Sequence, residues 1–170
     1  MAVIVRDALA QEFNDVASLT VEAYREYAQT LTSDNWEIMR TSLSKVAEIA
    51  KQGQLIVAQR DQELVGSVVY HPPGVSDRRL FQPEWASLRM LAVSPQHRGQ
   101  GIGQQLSLEC VHRAEQDKAA VIGLHTSELM VAARRMYERL GFKQEIELPN
   151  HLGIQYWRYV LKLAESLPAR

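Results

Sequence analysis

The run Met90-Leu-Ala-Val-Ser-Pro-Gln-His-Arg-Gly-Gln-Gly-Ile-Gly-Gln-Gln-Leu106 constrains the fold more than any other part of this chain. Its first residues read as a strand, Ser94-Pro95 as a turn, and the residues after Gly101 as the start of a helix. Between strand and helix, glycines at 99, 101 and 103 admit positive φ and carry no Cβ that would keep a ligand from the backbone. The first turn of the helix leaves N–H groups unpaired at the positive end of its dipole, and Arg98 adds a cation beside them. That combination suits a pyrophosphate; the other reading is a glycine turn that binds nothing. A P-loop would continue Gly-Lys-Ser/Thr, whereas Gly103 is followed by Gln104-Gln105. A Rossmann fingerprint would open the first βαβ unit as Gly-x-Gly-x-x-Gly, and here the spacing is Gly-x-Gly-x-Gly after three or four strands.

On the N-terminal side, Ala2 to Arg6 alternates as a short strand, and Phe13, Val16, Leu19, Ala23, Tyr24 and Tyr27 form one stripe of a helix over Phe13 to Ala28, capped by Asn14 or Asp15. Asp34 followed by Glu37 resembles a capping box for a second helix, whose stripe is Trp36, Met39, Leu43, Val46 and Ala50 and whose stop is Gly53. The period then changes to strand-length apolar runs over Gln54 to Gln59, Leu64 to His71 and Ala86 to Val93, with an irregular loop from Pro72 to Pro83. Past the glycines, the pattern predicts a helix over Gly101 to Asp117, a strand over Ala120 to His125 and a helix over Ser127 to Leu140 stopped by Gly141. Strands over Phe142 to Leu148 and Ile154 to Leu163, around a Pro149-Asn150 turn, end the pattern. With no repeat, low-complexity tract or linker, the expectation is one domain over residues 1–170, ordered βααβββαβαββ. The fold class is α/β in its mixed, α+β form: a mixed sheet of about six or seven strands with about four helices on its two faces.

Nineteen basic against twenty acidic residues give a net charge of −1, which is no footprint for nucleic acid. Cys110 is the only cysteine, and no Cys/His cluster has the spacing of a metal site. The longest apolar runs, such as Met90 to Val93, fall far short of the roughly 20 residues needed to cross a bilayer. The segment Met1 to Arg6 lacks the basic and apolar regions of a signal peptide, so the expected location is the cytoplasm, with no membrane partner.

Two ordered motifs, Arg98-x-x-Gly101-x-Gly103 and Ala133-Arg-Arg-Met-Tyr137-Glu-Arg-Leu-Gly141-Phe142, resemble those of the GNAT superfamily of acyl-CoA-dependent N-acetyltransferases. The likeness covers almost the whole chain and includes its element order. It implies acetyl-CoA as co-substrate, without a metal, in a cleft where the fourth and fifth strands splay apart. Main-chain groups of Leu91 and Val93 would pair with the pantetheine arm like an added strand. The amides of Arg98, Gly99, Gln100, Gly101, Ile102, Gly103 and Gln104 would hold the pyrophosphate, and Ala133 and Arg134 would add cofactor contacts. Tyr137 would be the general acid, since a phenol with a reference pKa of about 10 can protonate the departing thiolate.

The chain departs from the family pattern at two positions: Met130 stands where an Asn often bonds the pantetheine, and Ser87 where a Glu often acts as base. Glu84 is expected as the catalytic base, with His71 and His125 as the other candidates. The resemblance brings Tyr24, Tyr27, Trp36, Tyr70, Phe81 and Trp85 to the acceptor side, where with Glu22 and Glu26 they would hold a primary amine, although Tyr24 and Tyr27 also fit the core stripe. His97 and His112 are expected exposed and Cys110 buried. The implied activity is acetyl transfer to a small-molecule or peptide amine by direct attack in a ternary complex. The alternatives are a non-catalytic acyl-CoA-binding module and an enzyme acting on a protein N-terminus or lysine. A homodimer is left open.

Overall fold

Four consecutive buried residues, Leu55 to Ala58, mark β2 (Gln54–Arg60) as a strand covered on both faces, and β3 (Glu63–His71) buries Val65, Val68, Val69 and Tyr70 in the same way. The computed structural model describes residues 2–163, so residues 1 and 164–170 of the expected domain lie outside the described residues. The sheet is mixed and seven-stranded, in the order β1-β2-β3-β4-β5-β7-β6. Its other strands are β1 (Ile4–Asp7), β4 (Ala86–Val93), β5 (Val121–Ser127), β6 (Lys143–His151) and β7 (Ile154–Lys162). The helices are α1 (Phe13–Tyr24), α2 (Ser33–Ser44), α3 (Val46–Ile49), α4 (Ile102–Gln116) and α5 (Val131–Arg139). The expected α/β class and mixed sheet are found, with five described α-helices in place of about four. Among the described residues no helix is long and apolar enough to cross a membrane. The chain divides into two compact units, one running to Tyr70 and taking in Met90–Leu108, the other formed by His71–Arg89 and the chain from Glu109 onward.

In the first unit β1 and β3 both pair antiparallel with β2, and Val16, Val46, Ala50, Leu55, Val57 and Val69 form a buried cluster. Helix α1 is capped by neither Asn14 nor Asp15. Glu12 accepts the Leu9 N–H at 2.8 Å, while the Arg6 guanidinium from β1 holds its two oxygens at 2.8 and 2.9 Å. The helix also stops earlier than expected, tightening after Tyr24 into a 3-10 turn over Arg25–Gln29. For α2 the cap is Thr32, whose side chain accepts the Asn35 N–H at 3.1 Å, and not Asp34. The second predicted helix breaks at Lys45, where ψ is +24°. Just before the break, Thr41 donates to the Glu37 carbonyl and Ser44 to the Thr41 carbonyl, side-chain bonds of the kind that compete with a helix backbone. The stripe nonetheless continues across the break: Trp36, Met39 and Leu43 of α2, then Val46 and Ala50, are all buried.

In the second unit β5 lies between β4, parallel at Ala86↔Ile122 and Ser87↔Gly123, and β7, antiparallel from Val121↔Lys162 to Ser127↔Tyr156. Helix α5 starts at Val131, later than expected, because Ser127 closes a turn: its carbonyl accepts the Met130 N–H at 3.0 Å and its hydroxyl the Leu129 N–H at 3.2 Å. Gly141 takes the expected positive φ, +102°. The predicted Pro149-Asn150 turn lies inside β6, at a register shift between Leu148 and His151. Strand β6 ends the sheet order, and an edge strand tolerates a proline that has no N–H for a ladder. The reversal is at Leu152-Gly153, with φ of 56° and 75°, a two-residue hairpin loop flanked by the pair His151↔Ile154.

Candidate active site

In the first unit β4 ends at Val93, the Ser94 N–H donates to the Val65 carbonyl at 2.9 Å, and the chain turns through Pro95–His97 into the glycines. Gly99 and Gly101 have φ of +76° and +80°, and a Cβ built on either meets nothing within 4 Å. Both positions therefore need glycine for backbone conformation, while the space in front of them is open to a ligand. Gly103, expected to share that freedom, lies inside α4. The Gln105 N–H donates to the Gly101 carbonyl at 3.0 Å, so the amides of Ile102, Gly103 and Gln104 precede that helical bond and are free of α4's i→i−4 pattern. Ile102 and Leu106 hold this turn in place: both are buried against Gly66, where a Cβ would sit 2.9 Å from Leu106 and 3.0 Å from Ile102.

Arg98 at the turn donates to the Glu26 carboxylate at 2.9 Å and to the Ala23 carbonyl at 2.6 Å, and Arg60 bonds the Gln100 side chain. Leu91 and Val93 are half-buried, and the Leu91 carbonyl accepts the Tyr24 hydroxyl at 2.8 Å. Beside them Met90 has φ of +57°, a costly conformation for a residue with a side chain. An open, amide-lined helix start behind two positive-φ glycines, with a cation at its mouth, fits a pyrophosphate.

In the second unit Tyr137 is buried at 5 % exposure, and its ring meets Phe142 edge-on at 5.7 Å. Ala133 and Arg134 are half-buried; the Arg134 guanidinium lies over the Trp157 ring at 5.0 Å, and its buried Nε has no hydrogen-bond partner among the described residues. Met130 receives the Thr126 hydroxyl on its sulfur at 3.4 Å. Ser87 is buried and lies 2.8 Å from Ser76 Oγ. Ser76 gives its own proton to the Trp85 carbonyl at 2.8 Å, so Ser87 is the donor of that pair.

Of the three base candidates, Glu84 is exposed on the turn before β4 and His71 is buried at the end of β3. Burial, reinforced by the Arg89 charge, holds the His125 imidazole at a pKa of about 4, against a counter-effect of Asp77. It is neutral at neutral pH and a weak base.

Trp36, Tyr70 and Phe81 of the expected acceptor aromatics are buried in the core. Glu22 pairs with Arg25 at 3.0 Å and Glu26 with Arg98, so both carboxylates already hold arginines. Trp85 lies under the Arg158 guanidinium at 4.9 Å. His112 is exposed and Cys110 buried as expected, its thiol pushed up by burial. His97 is instead half-buried, its Nε2 3.8 Å from Glu63. One residue missed in the sequence is Arg89, and its signal was plain: it is the sole charge in the apolar run Ala86–Val93.

The sequence profile of the acetyltransferase (GNAT) family matches residues 11–142. The chain belongs to that family. N-acetyltransferase family 8 member 3 of Rattus norvegicus is 33% identical to this GNAT chain over 139 residues, 82% of this chain and 54% of that protein. The chain spans about half the length of the curated relatives it matches. Among solved folds, yncA of Salmonella typhimurium, determined with its cofactor acetyl-CoA, superposes with a TM-score of 0.69 at 17% identity, covering 98% of this chain and 97% of that one. The ribosomal-protein-S18-alanine N-acetyltransferase of Escherichia coli gives 0.67 at 16% identity, covering 99% and 100%. Both likenesses place the seven-stranded sheet of this chain in the GNAT fold.

Proposed function

We propose that this chain is an acetyl-CoA-dependent N-acetyltransferase acting on a primary amine of a small molecule or peptide, as one domain over residues 1–170. The observation that carries the reading is the glycine turn: two positive-φ glycines facing open space, followed by the amides of Ile102, Gly103 and Gln104 at the start of α4. Bound acetyl-CoA supplies a thioester that an amine attacks directly. The amides of residues 98–104 hold the pyrophosphate, and Arg98 exchanges Glu26 for it. The main chain of Leu91 and Val93 pairs with the pantetheine arm, and Ala133 and Arg134 add contacts. Tyr137 gives its hydroxyl proton to the departing sulfur. An alkylammonium must first lose a proton, and Glu84 is the proposed base because its carboxylate is exposed and reachable on the turn before β4, whereas His71 is buried.

A non-catalytic acyl-CoA-binding module is the second reading, favoured by Ser87, a buried hydroxyl tied to Ser76 at the position where a Glu base often stands. Two measurements decide. Millimolar CoA is expected to raise the melting temperature, and acetyl-CoA with a panel of primary amines is expected to release thiol. A shift without thiol release favours the binding module; no shift sinks both readings.

A further inference from the structure

Arg89 is a cation without a hydrogen-bonded counter-ion among the described residues. It sits on β4 two residues beyond Ser87, as His125 sits on β5 two beyond Gly123, and the Ser87↔Gly123 pair puts Arg89 and His125 on one face of the sheet. Its side chain is only 22% exposed, and its Nε is buried with no partner among the described residues. The carboxylate that faces it is Asp77, 3.7 Å from Nη1, beyond hydrogen-bond range. That carboxylate is already gripped by Arg79, through Nε at 3.2 Å, Nη2 at 3.0 Å and the backbone N–H at 2.9 Å. One anion thus faces two guanidiniums, and the second carries a surplus positive charge.

The neighbours do not neutralise it. Arg158 is bound by Glu145 and the Leu80 carbonyl and stacks on Trp85. His125 lies among rings, 6.4 Å from Phe81 and 5.9 Å from Tyr156, with its buried Nδ1 unbonded among the described residues. Burial lowers Arg89's own pKa; burial first, and then Arg89 and His151, lower that of His125 while Asp77 raises it. A half-buried guanidinium without a hydrogen-bonded anion among the described residues matches a planar carboxylate approaching its exposed edge.

We infer that Arg89 receives the carboxylate of the amine acceptor, so that the acceptor class is an amino carboxylate such as a free amino acid. The inference rests on the acetyltransferase reading for the ligand's role as acceptor, while the grip itself is read by binding.

The test titrates the CoA-saturated protein with L-phenylalanine, L-methionine and L-aspartate and with the α-carboxamide of each, by calorimetry and by the His125 ring resonances. Loss of a charge-assisted bond predicts that at least one acid binds roughly 10- to 100-fold more tightly than its amide. The acid, and not the amide, raises the His125 pKa by neutralising Arg89. Arg89→Gln erases the preference and Arg89→Lys restores part of it. If Arg89→Gln does not fold, the acid and amide comparison in the unaltered protein decides. Equal binding of acids and amides, no binding of any acid, or an intact preference in Arg89→Gln overturns the inference. An acid that binds with the preference yet draws no thiol release from acetyl-CoA upholds the grip and counts against the transferase reading alone.

Discussion

The Arg98 guanidinium lies 2.9 Å from the Glu26 carboxylate, so the cation assigned to a pyrophosphate already holds an anion. Both side chains are about half exposed, at 41% and 51%, and such a surface pair is worth about 0–1 kcal/mol. On the proposed reading, a pyrophosphate with helix-start amides behind it would outcompete that. Glu26→Gln should therefore tighten CoA binding by up to about fivefold, and Arg98→Ala should weaken it by roughly tenfold or more. Calorimetry at low and high salt checks both, and weaker binding in Glu26→Gln would mean that Glu26 orients Arg98 for its ligand.

At Gly101 the backbone needs φ of +80°, and no atom stands within 4 Å of where a Cβ would be. A side chain there costs stability through conformation alone, about 1–2 kcal/mol. It also fills the open space in front of Gly101, through which the proposed pyrophosphate would approach. Gly101→Val should thus fold with a lowered melting temperature and lose the stabilisation by CoA, which for the unaltered protein is about 2.7 kcal/mol at 100 times the dissociation constant. A variant that keeps the full shift moves the pyrophosphate elsewhere.

Signals that lie within a few residues were legible in the sequence. Strand β4 has the predicted bounds because Pro83 and Pro95 bracket an apolar run, and the glycine turn was readable because its donors are consecutive. What depended on distant partners was not readable. Glu12 closes the 3-10 turn before α1 on Leu9 and is held there by Arg6 of β1, and Pro149 is tolerated in β6 because that strand ends the sheet order. The same holds for the candidate site. Glu26 reads as a free carboxylate until Arg98, 72 residues away, is found on it. His125 reads as an ordinary imidazole until burial and Arg89 depress it.

Among the described residues, His125 and Glu12 contribute most to the acid limb of stability. His125 titrates at about 4 in the folded chain against 6.5 as a reference, so from pH 6.5 down to about 4 the unfolded chain binds a proton that the folded one refuses. Stability is full above that window and falls through it, by at most about 3 kcal/mol. Glu12, held at about 2 by Arg6 against a reference of 4.5, adds stability that is present above pH 4.5 and lost toward pH 2. Urea midpoints measured at pH 7.5, 5.5 and 4.5 should drop in that order, and His125→Asn should flatten the drop between 6.5 and 4. An unchanged slope in that variant would place the titrating group elsewhere.

Tyr137 separates an enzyme from a binding module, because its hydroxyl proton matters only if a thiolate leaves. The ring is buried and packs edge-on against Phe142 at 5.7 Å, contacts that Tyr137→Phe preserves. If the phenol is the acid, acetyl transfer to a good amine should fall roughly 10²- to 10⁴-fold while the affinity for acetyl-CoA and the melting temperature change little, since general acid catalysis acts on the transition state. Steady-state thiol release, CoA calorimetry and a thermal melt on the same preparation separate the outcomes. Unchanged turnover leaves protonation of the sulfur to water. A large loss of stability with turnover in proportion would make the hydroxyl a partner of a buried polar group, whose desolvation the phenylalanine variant exposes.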